Sequence, residues 1–94
     1  MARKKLSDEE IQKALADLNE WKIEGINLIK RFEFNKFAES LAFVNRVGEI
    51  AETADHHPDI CLGWGYAGFS ITTHDTGGLT QNDFDLAKEI DMLE

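Results

Sequence analysis

The spacing of apolar residues along the chain switches repeatedly between a helical and a strand period, which divides it into short elements. Ile11, Leu15 and Leu18 recur at helical spacing behind Ser7 and Glu10, whose S-x-x-E spacing is that of a capping box. In such a box each side chain satisfies a backbone N–H that the first helical turn leaves unpaired. Leu6 and Ile11 stand where a hydrophobic staple closes the turn, so a helix is expected from about Asp8 to Leu18. Trp21 and Ile23 then alternate with Lys22 and Glu24 in a short strand that turns at Gly25. Leu28, Lys30, Phe32 and Phe34 share one side of a second strand. Lys30 breaks that apolar row and points either to a partly covered face or to a sheet edge.

Asn35 reads as the N-cap of a long helix from about Lys36 to Thr53. Phe37, Leu41, Val44, Gly48 and Ala51 form one stripe on it, and Phe43, Val47, Ile50 and Ala54 a second. A helix with two apolar stripes is covered on more than one side, and in so short a chain a partner subunit can supply the second cover. Beyond Pro58, Ile60, Cys61 and Leu62 lead through a glycine-rich hairpin (Gly63 to Gly68) into the alternating strand Phe69, Ile71 and Thr73. That hairpin lacks the Lys-Ser/Thr ending and the following helix of a phosphate-binding loop. Thr80 and Asp83 then repeat the helix-start spacing, with Leu79 and Phe84 as staple and Leu86, Ile90 and Leu93 as buried stripe. The order α-β-β-α-β-β-α favours an α+β fold, a four-stranded antiparallel sheet with helices packed on one face.

Length and charge narrow the function. The 94 residues suffice for one domain, residues 1–94, of which 1–5 are expected to be flexible. A formal net charge of −8 argues against a broad phosphate-binding surface, so no nucleic-acid partner is expected. The one basic run, Arg3 to Lys5, is followed at once by Asp8, Glu9 and Glu10. No stretch resembles a signal peptide or a membrane span, and a soluble cytoplasmic protein without membrane contact is expected. Cys61 is the only cysteine, which excludes an intrachain disulfide and a thiolate metal cluster; it reads as a small apolar strand residue.

The candidate chemistry is histidine chemistry. His56, His57 and His74 all fall near the ends of expected elements, where a rigid backbone can hold a side chain beside open space. Glu52 and Asp55 can orient an imidazole or favour its protonated form. Adjacent histidines on a regular helix diverge by about 100°, so His56 and His57 converge only where the helix ends before or between them. Pro58 favours such an end by disfavouring helical geometry at His57. Three imidazoles and a water would also suit a catalytic zinc ion, but His56 and His57 lack the same-face spacing of a helical zinc motif. Asp83 has a sufficient role as a helix-start residue, and Trp21 and Trp64 suit either packing or stacking on a flat heterocycle.

Glu52-Thr53-Ala54-Asp55-His56-His57-Pro58, followed by Trp64, His74 and Asp83, resembles the signature of the pterin-4a-carbinolamine dehydratase family. Trp21 through Gly25, Phe32-Glu33-Phe34 and Thr80 through Ala87 look like further family positions, so the resemblance covers nearly the whole chain. Asp75 and Thr76 stand where animal members carry a glutamate and a cysteine, and Gly63 and Gly65 are unusual beside Trp64.

The resemblance implies the same α+β fold and a dimeric or tetrameric assembly. It implies conversion of 4a-hydroxytetrahydrobiopterin, or a related pterin, to quinonoid dihydropterin and water, without metal or other cofactor. It also implies a place in regenerating the cofactor of aromatic amino acid hydroxylases. By resemblance His57 and His74 form the acid–base pair, His56 assists, and Glu52 orients a histidine. Asp55, Thr72, Thr73 and Asp75 would line the pterin site, with Trp21 and Asp83 as further contacts. Two other readings remain open at this point: a dimerisation partner of a transcription factor, as animal members are, and a metal-dependent hydrolase on the same histidines.

Overall fold

A computed structural model describes residues 4–94; Met1 to Arg3, including the start of the basic run, lie outside the described residues. The elements follow the expected order: α1 (Asp8–Ala16), β1 (Lys22–Glu24), β2 (Asn27–Glu33), α2 (Phe37–Ala54), β3 (Asp59–Gly63), β4 (Tyr66–Ile71) and α3 (Gln81–Asp91). A single 3₁₀ turn, His74–Thr76, separates β4 from α3. The strands form one antiparallel sheet in the order β1-β2-β4-β3. Register places Leu28 opposite Ile71, Lys30 opposite Phe69 and Phe32 opposite Ala67, so these six side chains share a face. That face is buried beneath Phe43, Val47 and Ala51 of α2 and Phe84, Leu86, Ala87 and Ile90 of α3. The α+β architecture with helices on one face is thus the observed one.

Both capping boxes form. At α1 the Ser7 N–H donates to Glu10 Oε1 at 2.9 Å and the Glu10 N–H to Ser7 Oγ at 3.2 Å. α1 ends at Ala16, two residues short of the expected Leu18, and Leu6, Ile11, Leu15 and Leu18 pack against the core. At α2 the cap is Lys36, which makes no side-chain cap bond, instead of Asn35. Glu39 reaches back to accept the Asn35 N–H at 3.0 Å, which ties the chain before the cap to the first turn but does not replace the side-chain cap expected of Asn35.

Lys30 differs from both readings of it. It sits on an interior strand under a covered face, 8% exposed. Its ammonium donates to Asp91 Oδ1 at 2.9 Å and lies 4.4 Å from the centre of the Phe32 ring. The Trp21 indole N–H donates to the same oxygen at 2.9 Å. A buried ammonium is tolerated here because a carboxylate at the end of α3 and an aromatic face surround it.

Of the two stripes on α2, Phe43 and Val47 face the core while Phe37 and Leu41 are left 45% and 39% exposed. Ile60, on the edge strand β3, is 40% exposed. The hairpin narrows to a two-residue turn, Trp64-Gly65, with Gly65 at φ 77°. A Cβ at Gly63 would run into the Tyr66 ring opposite it, so this glycine makes room for the aromatic.

Candidate active site

The end of α2 decides where the histidines go. Asp55 adopts left-handed geometry (φ 52°, ψ 42°), the Asp55 N–H donates to Glu52 O and the His56 N–H to Ala51 O at 3.1 Å. These bonds make a Schellman motif with aspartate in the place usually held by glycine, at a conformational cost of about 1 kcal/mol. The helix therefore ends before both histidines. His56 turns inward and is 6% exposed, whereas His57 stays on the surface.

His56 Nε2 lies 2.5 Å from Asp83 Oδ1. Asp83 is fully buried, and its other oxygen accepts the Thr73 hydroxyl at 2.8 Å and the Thr80 N–H at 2.8 Å. With Asp83 as a carboxylate, which only accepts, the proton between His56 and Asp83 belongs to Nε2 and Nδ1 is the ring nitrogen left over. Among the described residues no buried side-chain nitrogen or oxygen lacks a partner, so the unbonded Nδ1 keeps an opening to solvent.

His57 has the same kind of partner in a different setting. Its Nε2 lies 3.0 Å from Glu52 Oε1, with both side chains exposed. Glu52, His57, Pro58 and Ile60 line a cleft of about 670 Å³ between α2 and β3. A second cleft of about 660 Å³ lies against the outer side of the sheet, over Ile29, Cys61, Gly68 and Ser70, and includes none of the histidines. Of the three histidines only His57 lines either cleft, and its cleft holds the Glu52 carboxylate beside it.

His74 opens the 3₁₀ turn three residues past the end of β4 and is exposed. Thr73, immediately before it, is bonded to Asp83, so Asp83 joins the segments that carry His56 and His74. The three histidines are thus gathered at one end of the fold, where α2 ends and α3 begins. Asp55 is exposed and forms the turn that ends α2 immediately before His56 and His57. Thr72 is buried and donates to Ile26 O at 2.6 Å, and Asp75 is exposed in the 3₁₀ turn.

Two tryptophans lie elsewhere. Trp21 is 5% exposed and bonded to Asp91, at the far end of α3 from Asp83, about 12 Å away along the helix axis. Trp64 is 73% exposed at the hairpin tip, the full length of β3 from Pro58. Thr80 enters the histidine network although the sequence marks it only as a helix start; its T-x-x-D spacing was visible, its burial was not. Among the described residues no three His, Cys, Asp or Glu side chains are arranged to hold a metal ion, and no helix is long and apolar enough to cross a membrane.

Comparison with known proteins identifies the family. The family model described as pterin 4 alpha carbinolamine dehydratase matches residues 4–93. The chain belongs to that family. Its members are named for a dehydration, the reaction of a hydro-lyase. A relative bearing the pterin-4-alpha-carbinolamine dehydratase name in Roseiflexus sp. (strain RS-1) is 49% identical over 89 residues, covering 95% of this chain and 96% of the relative. One in Picosynechococcus is 47% identical, covering 95% and 97%. A crystal structure from Brucella melitensis, described as a transcriptional coactivator/pterin dehydratase, superposes with a TM-score of 0.91 at 25% identity over 96% of this chain and 98% of that one. A pterin dehydratase-like RuBisCO assembly factor of the alpha-carboxysome shares the fold at a TM-score of 0.64 and 24% identity, over 78% of this chain and 84% of its own.

Proposed function

We propose that this dehydratase acts on a 4a-hydroxytetrahydropterin, 4a-hydroxytetrahydrobiopterin or a close relative, by histidine acid–base catalysis. Dehydration breaks the C4a–O bond, removes the N5 proton and closes a C4a–N5 double bond, with the oxygen leaving as water. One proton donor at the oxygen and one acceptor at N5 suffice, and imidazoles supply both near neutral pH. The observation that carries this reading is Asp83, which ties buried His56 to Thr73 and so to the segment bearing His74. His57 and His74 are the exposed pair suited to exchange protons with substrate; His56 is the fixed one. Glu52 orients His57 through Nε2. Asp55, Thr72, Thr73 and Asp75 lie in the segments around them, and in this reading backbone groups past the end of β4 recognise the ring edge.

The exposed Phe37, Leu41 and Ile60 support association into a homodimer or homotetramer, which would cover the second side of α2. The Brucella structure, whose description pairs pterin dehydratase with transcriptional coactivator, supports a binding role as the second reading.

The test is to generate the 4a-carbinolamine in situ and follow its dehydration with purified, metal-free protein. Acceleration should appear, and His74→Ala should reduce it by about 10²-fold or more, the usual contribution of a general acid or base. A folded protein that gives no acceleration would overturn the reading and leave the binding role.

A further inference from the structure

We propose that Thr80 is a positioning residue of this dehydratase, acting on His56 through a directed chain of hydrogen bonds. The inference rests on the catalytic reading of the same histidines. The direction of the chain follows from counting protons. Thr73 has one hydroxyl proton, and it is donated to Asp83 Oδ2 at 2.8 Å. The 3.0 Å contact between the Thr73 and Thr80 hydroxyls must therefore use the Thr80 proton. Thr80 thus holds Asp83 twice, directly through its backbone N–H and indirectly through the Thr73 hydroxyl.

Both bonds converge on Oδ2, which leaves Oδ1 to accept from His56 Nε2. All four residues are more than 90% buried, so water does not compete for these partners. The arrangement fixes three things in sequence: the rotamer of Asp83, the oxygen presented to the imidazole, and the tautomer of His56. With Nε2 protonated, Nδ1 is the nitrogen left to exchange a proton or to bond substrate. Deleting the Thr80 hydroxyl removes the donor that orients the Thr73 hydroxyl, so Oδ2 keeps the Thr80 N–H while its second bond loses its fixed direction, and the carboxylate can swing about the bond that remains.

The informative substitution is Thr80→Val, which keeps the shape and the backbone N–H and removes only the hydroxyl. In ¹⁵N-labelled protein, long-range proton–nitrogen correlations report the His56 tautomer directly. We expect the parent and Thr80→Ser to show a single Nε2–H form, and Thr80→Val to show exchange between forms. The dehydration kcat of Thr80→Val should fall about tenfold, the effect of losing one buried hydrogen bond's worth of ordering, with KM little changed. Thr80→Ser should restore it.

A purely structural Thr80 would lower thermal stability without moving the His56 nitrogen signals or the kcat per folded molecule, and that result overturns the proposal. Failure of Thr80→Ser to restore both readouts overturns it as well. Should Thr80→Val not fold, the same two measurements on Thr73→Ser and Thr80→Ala decide: the first must match the parent and the second must not. If the parent protein shows no dehydration, the dehydratase reading fails by itself, and the nitrogen spectra still decide whether Thr80 sets the His56 tautomer.

Discussion

The same four-residue helix start occurs twice, at Ser7-x-x-Glu10 and at Thr80-x-x-Asp83, and the two have different fates. Ser7 and Glu10 are exposed, and the side chain of each satisfies a backbone N–H of the other, which makes a cap and no more. Thr80 and Asp83 are buried, 2% and 0% exposed. There the carboxylate takes the Thr80 N–H on one oxygen and keeps the other for His56. Aspartate is one methylene shorter than glutamate, which holds its carboxylate close to the backbone and between the incoming side chains. A local motif thus becomes part of a site when the rest of the fold delivers further donors to it and excludes water.

Removing Asp83 should have the largest effect. Asp83→Ala strips the acceptor from His56, Thr73 and Thr80 at once, all of them buried. Breaking such a buried charged network costs about 3–5 kcal/mol, a large share of the roughly 5–15 kcal/mol that stabilises a typical domain. Chemical denaturation should show that loss, and the folded fraction should lack dehydratase activity. Asp91→Ala is the matched control at the other end of α3. It deprives Lys30 and Trp21 of their shared oxygen, but the Asp91 side chain is 19% exposed and Glu94 stands 3.9 Å from the Lys30 ammonium. A loss of about 2–3 kcal/mol is expected, with the dehydration rate per folded molecule unchanged. An equal loss of activity in both variants would erase the distinction between the two ends.

The fold was largely legible because its signals are local. Alternation in Leu28-Lys30-Phe32 and Phe69-Ile71, the two capping boxes and the stripes on α2 and α3 each depend on a few neighbouring residues. The site was legible only as a set of residue types. Asp55 in left-handed geometry decides that His56 points inward and His57 outward, and no periodicity carries that information. Lys30 was misread for a related reason: its partner Asp91 lies 61 residues away, and only the folded chain brings the two together. Trp21, which by sequence suits either packing or stacking on a flat ligand, is buried and held at the opposite end of α3 from Asp83 by that same Asp91. Long-range pairing, not composition, separates the two aspartates' roles.

The smallest effect belongs to the exposed cap. Ser7→Ala should cost about 1 kcal/mol by removing the hydroxyl that accepts the Glu10 N–H, and should leave dehydratase activity intact. The Ser7 backbone N–H, with the Ser7 hydroxyl second, holds the Glu10 carboxyl below its ordinary value of 4.5. A carboxyl depressed by folding favours the folded state at pH above its unfolded value, and that contribution disappears as pH falls through the lower, folded value. An NMR titration of Glu10 should therefore place its midpoint below 4.5 in the parent and nearer to it in Ser7→Ala. The shift should be partial, because the backbone N–H bond to Glu10 Oε1 survives the substitution. If Ser7→Ala instead reduced turnover as Asp83→Ala does, the exposed box would also belong to the site, and burial would not be what sets the two helix starts apart.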